Sequence, residues 1–496
     1  MKKFFRVLCL VLSLCLLLTS CGGGKKEGKT TELVMYLVGN KPADYDKVLA
    51  KVNEKLKEDI GATVKVHFLG WGEWRNKLPL VLQGGESVDL VVAADYHPHR
   101  DFALKGAYMD ITDLYPKYAP DAAKQLDPQI YDSVLVNDRL YWVPANSAGT
   151  NPHGYVVRGD LMDKYGIEDI GSGDDFIEYL LKVKENEKGL MPYNASQSDI
   201  AVYTSKYNPI LGDIIYYDTT ESDEDVLKNR YTYKDQEFED YYNHQSEMVQ
   251  KAYKAGCWPK DVLMNQTPSK DAFLAGTSAS TIMNYTNFND LYIKVMAVHP
   301  EWEPRFYYRC TDEGVPPPVS GGNGVAVAKG SKNPEKALQL LNLLNTDKEY
   351  NRLTTYGFEG EHYIETSPGR FKFPEGVDMN NTGFIPDDAG NWGWGNPEFR
   401  LISDDSVGDF EAKRKMYNEM GKWNPYASFA KDDSKFVNQY AAVTSIIKEN
   451  SSLIAWGMVD RKSIRPKEIK RVQEAGIDMI IKEVESQIKE YVKNKK

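Results

Sequence analysis

An α/β fold built on a doubly wound sheet is predicted by three apolar runs and by what lies between them. Leu33 to Val38, Thr63 to Phe68 and Val88 to Ala93 are short segments rich in β-branched and other apolar residues, as buried strands require. Between the first two, Val48, Leu49, Val52 and Leu56 recur at helical spacing, and Gly61 follows as a residue suited to end that helix. Between the second and third, Trp71 to Gln83 predicts a short helix broken near Pro79, whose ring removes a backbone donor. Strands that alternate with helices in this way imply parallel neighbours.

Ahead of the first strand, Lys2, Lys3 and Arg6 precede an apolar run from Val7 to Leu18 that ends in Leu18-Thr19-Ser20-Cys21. The run is shorter than the roughly 20 residues that a bilayer core requires, and its charged start and small residues before Cys21 predict a secretory signal over residues 1–20. The pattern resembles that of bacterial lipoproteins, which implies that Cys21 becomes the mature N-terminus and carries the lipid. Residues 21–31, with three glycines followed by charges, cannot bury apolar area and are expected to form a flexible tether. The protein is therefore expected on the extracytoplasmic face of the cell membrane, anchored at Cys21.

Removing the signal takes away three basic and no acidic residues, so the net charge moves from −11 to −14. Such a surface is a poor partner for nucleic acid or anionic lipid. The remainder of the 496 residues is long enough for two domains with large cores. Of five cysteines, only Cys257 and Cys310 remain after the signal and the lipid site are set aside, either as a disulfide or as two free thiols.

Ligands of doubly wound sheets gather at the carboxyl ends of the strands, where loops converge. Those ends carry Asn40, then Trp71, then Asp95 and Tyr96. Aromatic rings beside an amide and a carboxylate suit stacking on sugar rings combined with hydrogen bonds to hydroxyls.

Several segments then resemble one family in order. Val64 to Phe68 with Gly70-Trp71, Gly84-Gly85-Glu86-Ser87-Val88-Asp89-Leu90, and Lys105-Gly106-Ala107-Tyr108-Met109-Asp110-Ile111-Thr112 are similar to the N-terminal lobe of carbohydrate-type (family 1) extracellular solute-binding proteins of ABC importers. So is the strand Gly324 to Ala328 followed by a helix with Asn333 as its cap, Pro334 in its first turn and Leu338, Leu341 and Leu344 on its buried face. Trp423-Asn424-Pro425-Tyr426, Gly457 to Asp460 and Ala475 to Asp478 resemble the extra C-terminal domain of a LipO-like lipoprotein subgroup, the DUF3502-like region. Its closing helix places Ile477, Ile480, Ile481, Val484, Ile488 and Tyr491 on one face.

The resemblance implies a two-lobed, type II periplasmic-binding-protein-like fold, each lobe a doubly wound mixed sheet, with the ligand cleft between lobes and a helical C-terminal extension. Residues 32–145 plus about 306–349 would form the N-terminal lobe, and 146–305 plus about 350–420 the C-terminal lobe. Residues 421–496 would pack on the latter. Chain crossings are expected near Tyr141 to His153 and near Cys310 to Gly322, where proline and glycine interrupt periodicity. Further cleft candidates are Trp142 and Asn146, Asn284 and Tyr285, and Trp392 and Trp394 within Gly390-Asn391-Trp392-Gly393-Trp394-Gly395-Asn396. Two tryptophans flanked by glycines have little local bulk to bury against, so they read as a ligand platform or as rings that pin an Ω-loop.

The expected function is capture of a carbohydrate, an oligosaccharide, by cleft closure, and its delivery by a monomer to ABC permease subunits, with no cofactor and no resident metal. A receptor for peptides or other polar solutes, and a sensory receptor of the same fold, are the alternatives. An anchored glycoside hydrolase would need a carboxylate pair across a sugar bond, and no G-x-S-x-G, H-E-x-x-H or P-loop motif is present. Asp95, His97 and His99 offer metal ligands, but Pro98 between the imidazoles favours a plain loop. Asp387-Asp388-Ala389-Gly390-Asn391 reads as a turn and Glu221 to Asp225 as a solvated loop.

Overall fold

The computed structural model describes residues 30–84, 87–94, 99–147, 152–220, 230–309, 322–386 and 391–495. The leader and Cys21, Asp95, Tyr96 and His97, the acidic run at 221–225, Cys310 and residues 387–390 lie outside the described residues. The strands that carry the architecture are, in chain order, β1 (Thr31–Val38), β2 (Ala62–Leu69), β3 (Leu90–Ala93), β4 (Trp142–Pro144), β5 (His153–Val157), β6 (Tyr207–Leu211), β7 (Ile215–Asp218), β8 (Ser280–Asn284), β9 (Arg305–Tyr308) and β10 (Gly324–Val327).

The first sheet has the order β2-β1-β3-β10-β4. β1 runs parallel to β2 and to β3, and β10 inserts antiparallel between β3 and β4, so the sheet is mixed. The helix Tyr45–Asp59 covers it with Val48, Val52 and Leu56, and Gly61, at φ +64°, makes the left-handed turn into β2 that a side chain would strain. The next helix, Trp74–Gln83, is not broken at Pro79 as the sequence suggested. The missing N–H costs one hydrogen bond, and burial of Trp74 and Leu78 on the inner face holds the helix across it.

Helix Pro334–Thr346 buries Leu338, Leu341 and Leu344, yet Asn333 does not cap it. The Asn333 amide turns instead toward Asp89 Oδ1 at 3.4 Å. Asp89, fully buried, also accepts from Ser331 Oγ at 2.6 Å and from the backbone N–H of Val34 at 2.9 Å. One carboxylate thus joins β1, the approach to β3 and the helix after β10, and the capping geometry gives way to it.

The second sheet is antiparallel in the order β8-β5-β9, with His153 opposite Asn284 and Gly154 opposite Tyr308. Its core gathers Tyr155, Phe176, Tyr179 and Trp258, and a neighbouring cluster packs Tyr285, Phe288 and Phe306 with Phe410 and Tyr417. Cys257 is a buried free thiol, pushed up to about 12 by burial, while Cys310 lies outside the described residues. Tyr350, Leu353, Phe384 and Trp394 join the first core, so the chain leaves that core later than the border near 350 expected from the sequence.

Helices Val437–Ala455, Arg461–Glu474 and Ile477–Lys495 close the chain. Val443, Val472, Ile480, Val484 and Ile488 share a core with Leu211, Ile215 and Tyr217 of the β6–β7 hairpin. Nearby, Arg461 and Arg465 both reach Glu239, at 2.7 and 2.6 Å, and Arg465 also bonds Glu468. The Trp258 indole donates to the Trp456 carbonyl at 3.1 Å. Among the described residues no helix is long and apolar enough to cross a membrane.

Candidate functional site

Two crossings join the sheets, and they fix which ends face each other. The chain passes from the end of β4 to the start of β5, and from the end of β9 to the start of β10. Gly324 at the start of β10 pairs with Ala93 at the end of β3 and with Pro144 at the end of β4. The carboxyl edge of β1, β2 and β3 is therefore the edge to which both crossings attach. On the second sheet they attach at His153, beside Asn284 and next to the end of β9.

On the first edge, Trp71 follows β2 and stays about half exposed, at 47%. Its ring stacks on that of Trp392, with centroids 6.1 Å apart and planes 27° apart. Residues so far apart in sequence meet because the 3-10 turn Asn391–Trp394 lies on β10. A Cβ on Gly393 would stand 3.1 Å from Val325 Cγ2 and 3.3 Å from the Gly324 carbonyl oxygen. The glycine lets the turn lie close to the strand, with Trp394 buried and Trp392 half-buried on the same core. Asn391, buried beside the pair, finds no hydrogen-bond partner for either amide atom among the described residues. Stacked indoles with one ring half exposed suit a ligand that offers a flat apolar face.

On the facing edge, burial and the charge of Arg309 hold the His153 ring down at about 4, so it stands neutral near neutral pH. Arg309, one residue past β9, donates its backbone N–H to the His153 carbonyl at 2.9 Å. Neither residue was among the sequence candidates. A lone histidine and an arginine at a strand end carry no motif, and only the pairing of β5 with β9 brings them together.

The remaining sequence candidates divide by burial. Asn40 is exposed just past β1. Trp142 is fully buried, edge-on to the His99 ring at 4.4 Å, so it supports the sheet and cannot meet a ligand there. The same contact keeps His99 buried at the first position of the helix His99–Leu104. Tyr285, at 1% exposure, stacks on Phe410 at 5.2 Å within the second core. Trp394 is buried, its indole N–H donating to Thr354 Oγ1 at 3.1 Å. Asn146 fastens a loop, accepting from the Asp127 N–H at 3.3 Å and donating to the Gln125 carbonyl at 3.1 Å. Asn284 caps the helix Tyr285–Val298 by accepting from the Asn287 N–H at 2.8 Å, while sitting on the cleft edge. Asp95 and Tyr96 lie outside the described residues.

Asp44, Glu361 and His362 place ligand atoms within 4.8 Å of one another. His362 Nδ1 accepts from the Phe358 N–H at 2.9 Å, so its proton sits on Nε2, which faces Asp44 at 3.2 Å. The cluster is a hydrogen-bonded clip between the helix Tyr45–Asp59 and the segment after 356, tightened by Lys47 on Glu361.

Comparisons with known proteins agree with this layout. Residues 39–351 match the family described as bacterial extracellular solute-binding protein, and residues 425–493 match DUF3502, a domain of unknown function. A curated relative, the carbohydrate ABC transporter substrate-binding protein of Streptococcus pneumoniae serotype 4 (strain ATCC BAA-334 / TIGR4), is 26% identical over 510 residues, covering 100% of this chain and 99% of its own. The melibiose/raffinose/stachyose-binding protein MelE of Bacillus subtilis (strain 168) is 26% identical over 228 residues, 44% of this chain and 50% of its own. The crystal structure of the N-glycan transport solute binding protein (NgtS) from Streptococcus pneumoniae with Man5GlcNAc superposes with a TM-score of 0.75 at 24% identity, over 94% of this chain and 99% of that one.

Proposed function

The chain belongs to the bacterial extracellular solute-binding proteins, and from that premise we propose that it captures an oligosaccharide between its two sheets and delivers it to an ABC permease. The observation that carries the sugar reading is the Trp71–Trp392 pair, an aromatic platform left half open at the edge where both crossings attach. Sugar rings present a flat C–H face to such a platform, behind which the buried Asn391 amide has no hydrogen-bond partner among the described residues. The names of the relatives, which bind or transport glycans, support the same class.

A ligand touching both edges favours the arrangement in which they approach, by the difference of its affinity for the closed and open forms. The permease then reads closure, and the solute leaves chemically unchanged. We further propose that the mature protein is a monomer held at the membrane by lipid on Cys21. Replacing Cys21 with serine is expected to move the protein from the membrane to the soluble fraction; unchanged fractionation would refute the anchor.

Calorimetric titration of the soluble protein with mannosyl, α-galactosyl and fructosyl oligosaccharides tests the function. Saturable binding to one class is expected, about 30-fold weaker in W71A at an unchanged melting temperature. Binding undiminished in W71A would remove the platform, a response to peptides alone would make the protein a peptide receptor, and shortened sugars would make it an enzyme.

A further inference from the structure

The two edges of the cleft are chemically unlike: the first offers rings and an amide, the second a cation. Arg309 is fixed by its own backbone at the end of β9, through the 2.9 Å bond to the His153 carbonyl. Its Nη1 donates to the Ala201 carbonyl at 2.6 Å. Its Nε is sealed from solvent and has no acceptor among the described residues, although part of the residue still reaches water. Among the described residues no carboxylate reaches the guanidinium, whose strongest electrostatic neighbours are Tyr155, Tyr193, Tyr308 and Tyr241. His153 beside it is neutral and adds no counter-charge.

Other enclosed arginines in this chain are treated differently. Arg158 has Asp160 at 2.5 Å, Arg352 has Glu365 at 2.6 Å and Arg465 has Glu239 at 2.6 Å. Arg230 also lacks partners for Nε and Nη1 among the described residues, but it adjoins Tyr231, which bridges to the β6–β7 hairpin, and not the sheet end that the crossings leave. A guanidinium withdrawn from water, with one donor unused and no counter-charge among the described residues, destabilises the ligand-free fold. Such a group is retained where something outside the protein completes it, the usual opposition between stability and binding.

We propose that Arg309 is the ligand-holding residue of the second sheet, donating its fork of N–H groups to two adjacent oxygens of the captured saccharide. The inference rests on the reading of the cleft as a saccharide site. A planar fork of donors matches paired acceptors, and a saccharide presents them in two forms: vicinal hydroxyls of a neutral sugar, or the carboxylate of an acidic one. The ligand would then stack on Trp71 and Trp392 from one side and be held by Arg309 from the other, which makes closure dependent on both.

The test compares wild type, R309M and R309K by ligand-free melting temperature and by titration with two probes, neutral Man5GlcNAc and acidic trigalacturonate. R309M is expected to melt no lower than wild type, because it removes a charge that no described carboxylate compensates, and to bind the responding probe about 30-fold more weakly. R309K keeps the charge without the fork and is expected to fall between the two in affinity. The probe that responds identifies the oxygen pair as a diol or a carboxylate. A melting temperature that falls in R309M while its affinity holds would make Arg309 structural and overturn the proposal alone. A wild type that binds neither probe, nor any of the mannosyl, α-galactosyl and fructosyl oligosaccharides, would sink the saccharide reading, and the proposal with it.

Discussion

Trp392 and Trp394 are separated by one glycine and have opposite fates. Trp394 is buried at 3% exposure, with its indole bonded to Thr354 and its carbonyl accepting from Asn351, while Trp392 stacks on the half-open Trp71. Trp394→Ala is therefore expected to cost about 3 kcal/mol of stability, measured by denaturant unfolding, and to leave affinity per folded molecule unchanged. A selective loss of binding in W394A would reverse the assignment. Sequence made the cluster legible as aromatic rings on a glycine-rich turn, but not which ring would be covered. That depends on Gly393 resting against Val325 and Gly324, residues nearly 70 positions earlier. The same limit explains Trp142 and Tyr285, which sit at strand ends in the chain yet point into cores in the fold. It also applies to Arg309, whose Nε finds no acceptor among the described residues.

Among elements, those specified by local patterning were read well. β1, β2, β3 and the helix Tyr45–Asp59 each carry their own periodicity, and Gly61 marks the turn by a backbone angle that favours glycine. The closing helix likewise buries Ile477, Ile480, Ile481, Val484 and Ile488 as its spacing required. What escaped was decided by distant partners. Helix Trp74–Gln83 continues through Pro79 because Trp74 and Leu78 have a core to enter, and Asn333 abandons its capping role because Asp89 lies within reach. The antiparallel entry of β10 between β3 and β4, with Val325 opposite both Val92 and Val143, leaves no local trace in any of the three strands.

At the scale of the whole molecule, the C-terminal region does more than extend one lobe. Its helices share a core with the β6–β7 hairpin, and the Arg461–Glu239–Arg465 cluster ties them to the helix Gln236–Ala255. Trp423 and Ala430 pack on the first core as well, and Lys431 approaches Asp101 at 3.4 Å. The region thus packs on the cores of both sheets. Binding energy spent on closure must come from contacts made on both edges at once, by rings from the first sheet and donors from the second. Small-angle X-ray scattering of the soluble protein, with and without a saturating oligosaccharide identified by titration, reads that closure. A smaller radius of gyration in the complex, absent from W71A at the same sugar concentration, is expected. Saturated binding with an unchanged radius would contradict it, and would place the ligand on one sheet edge alone.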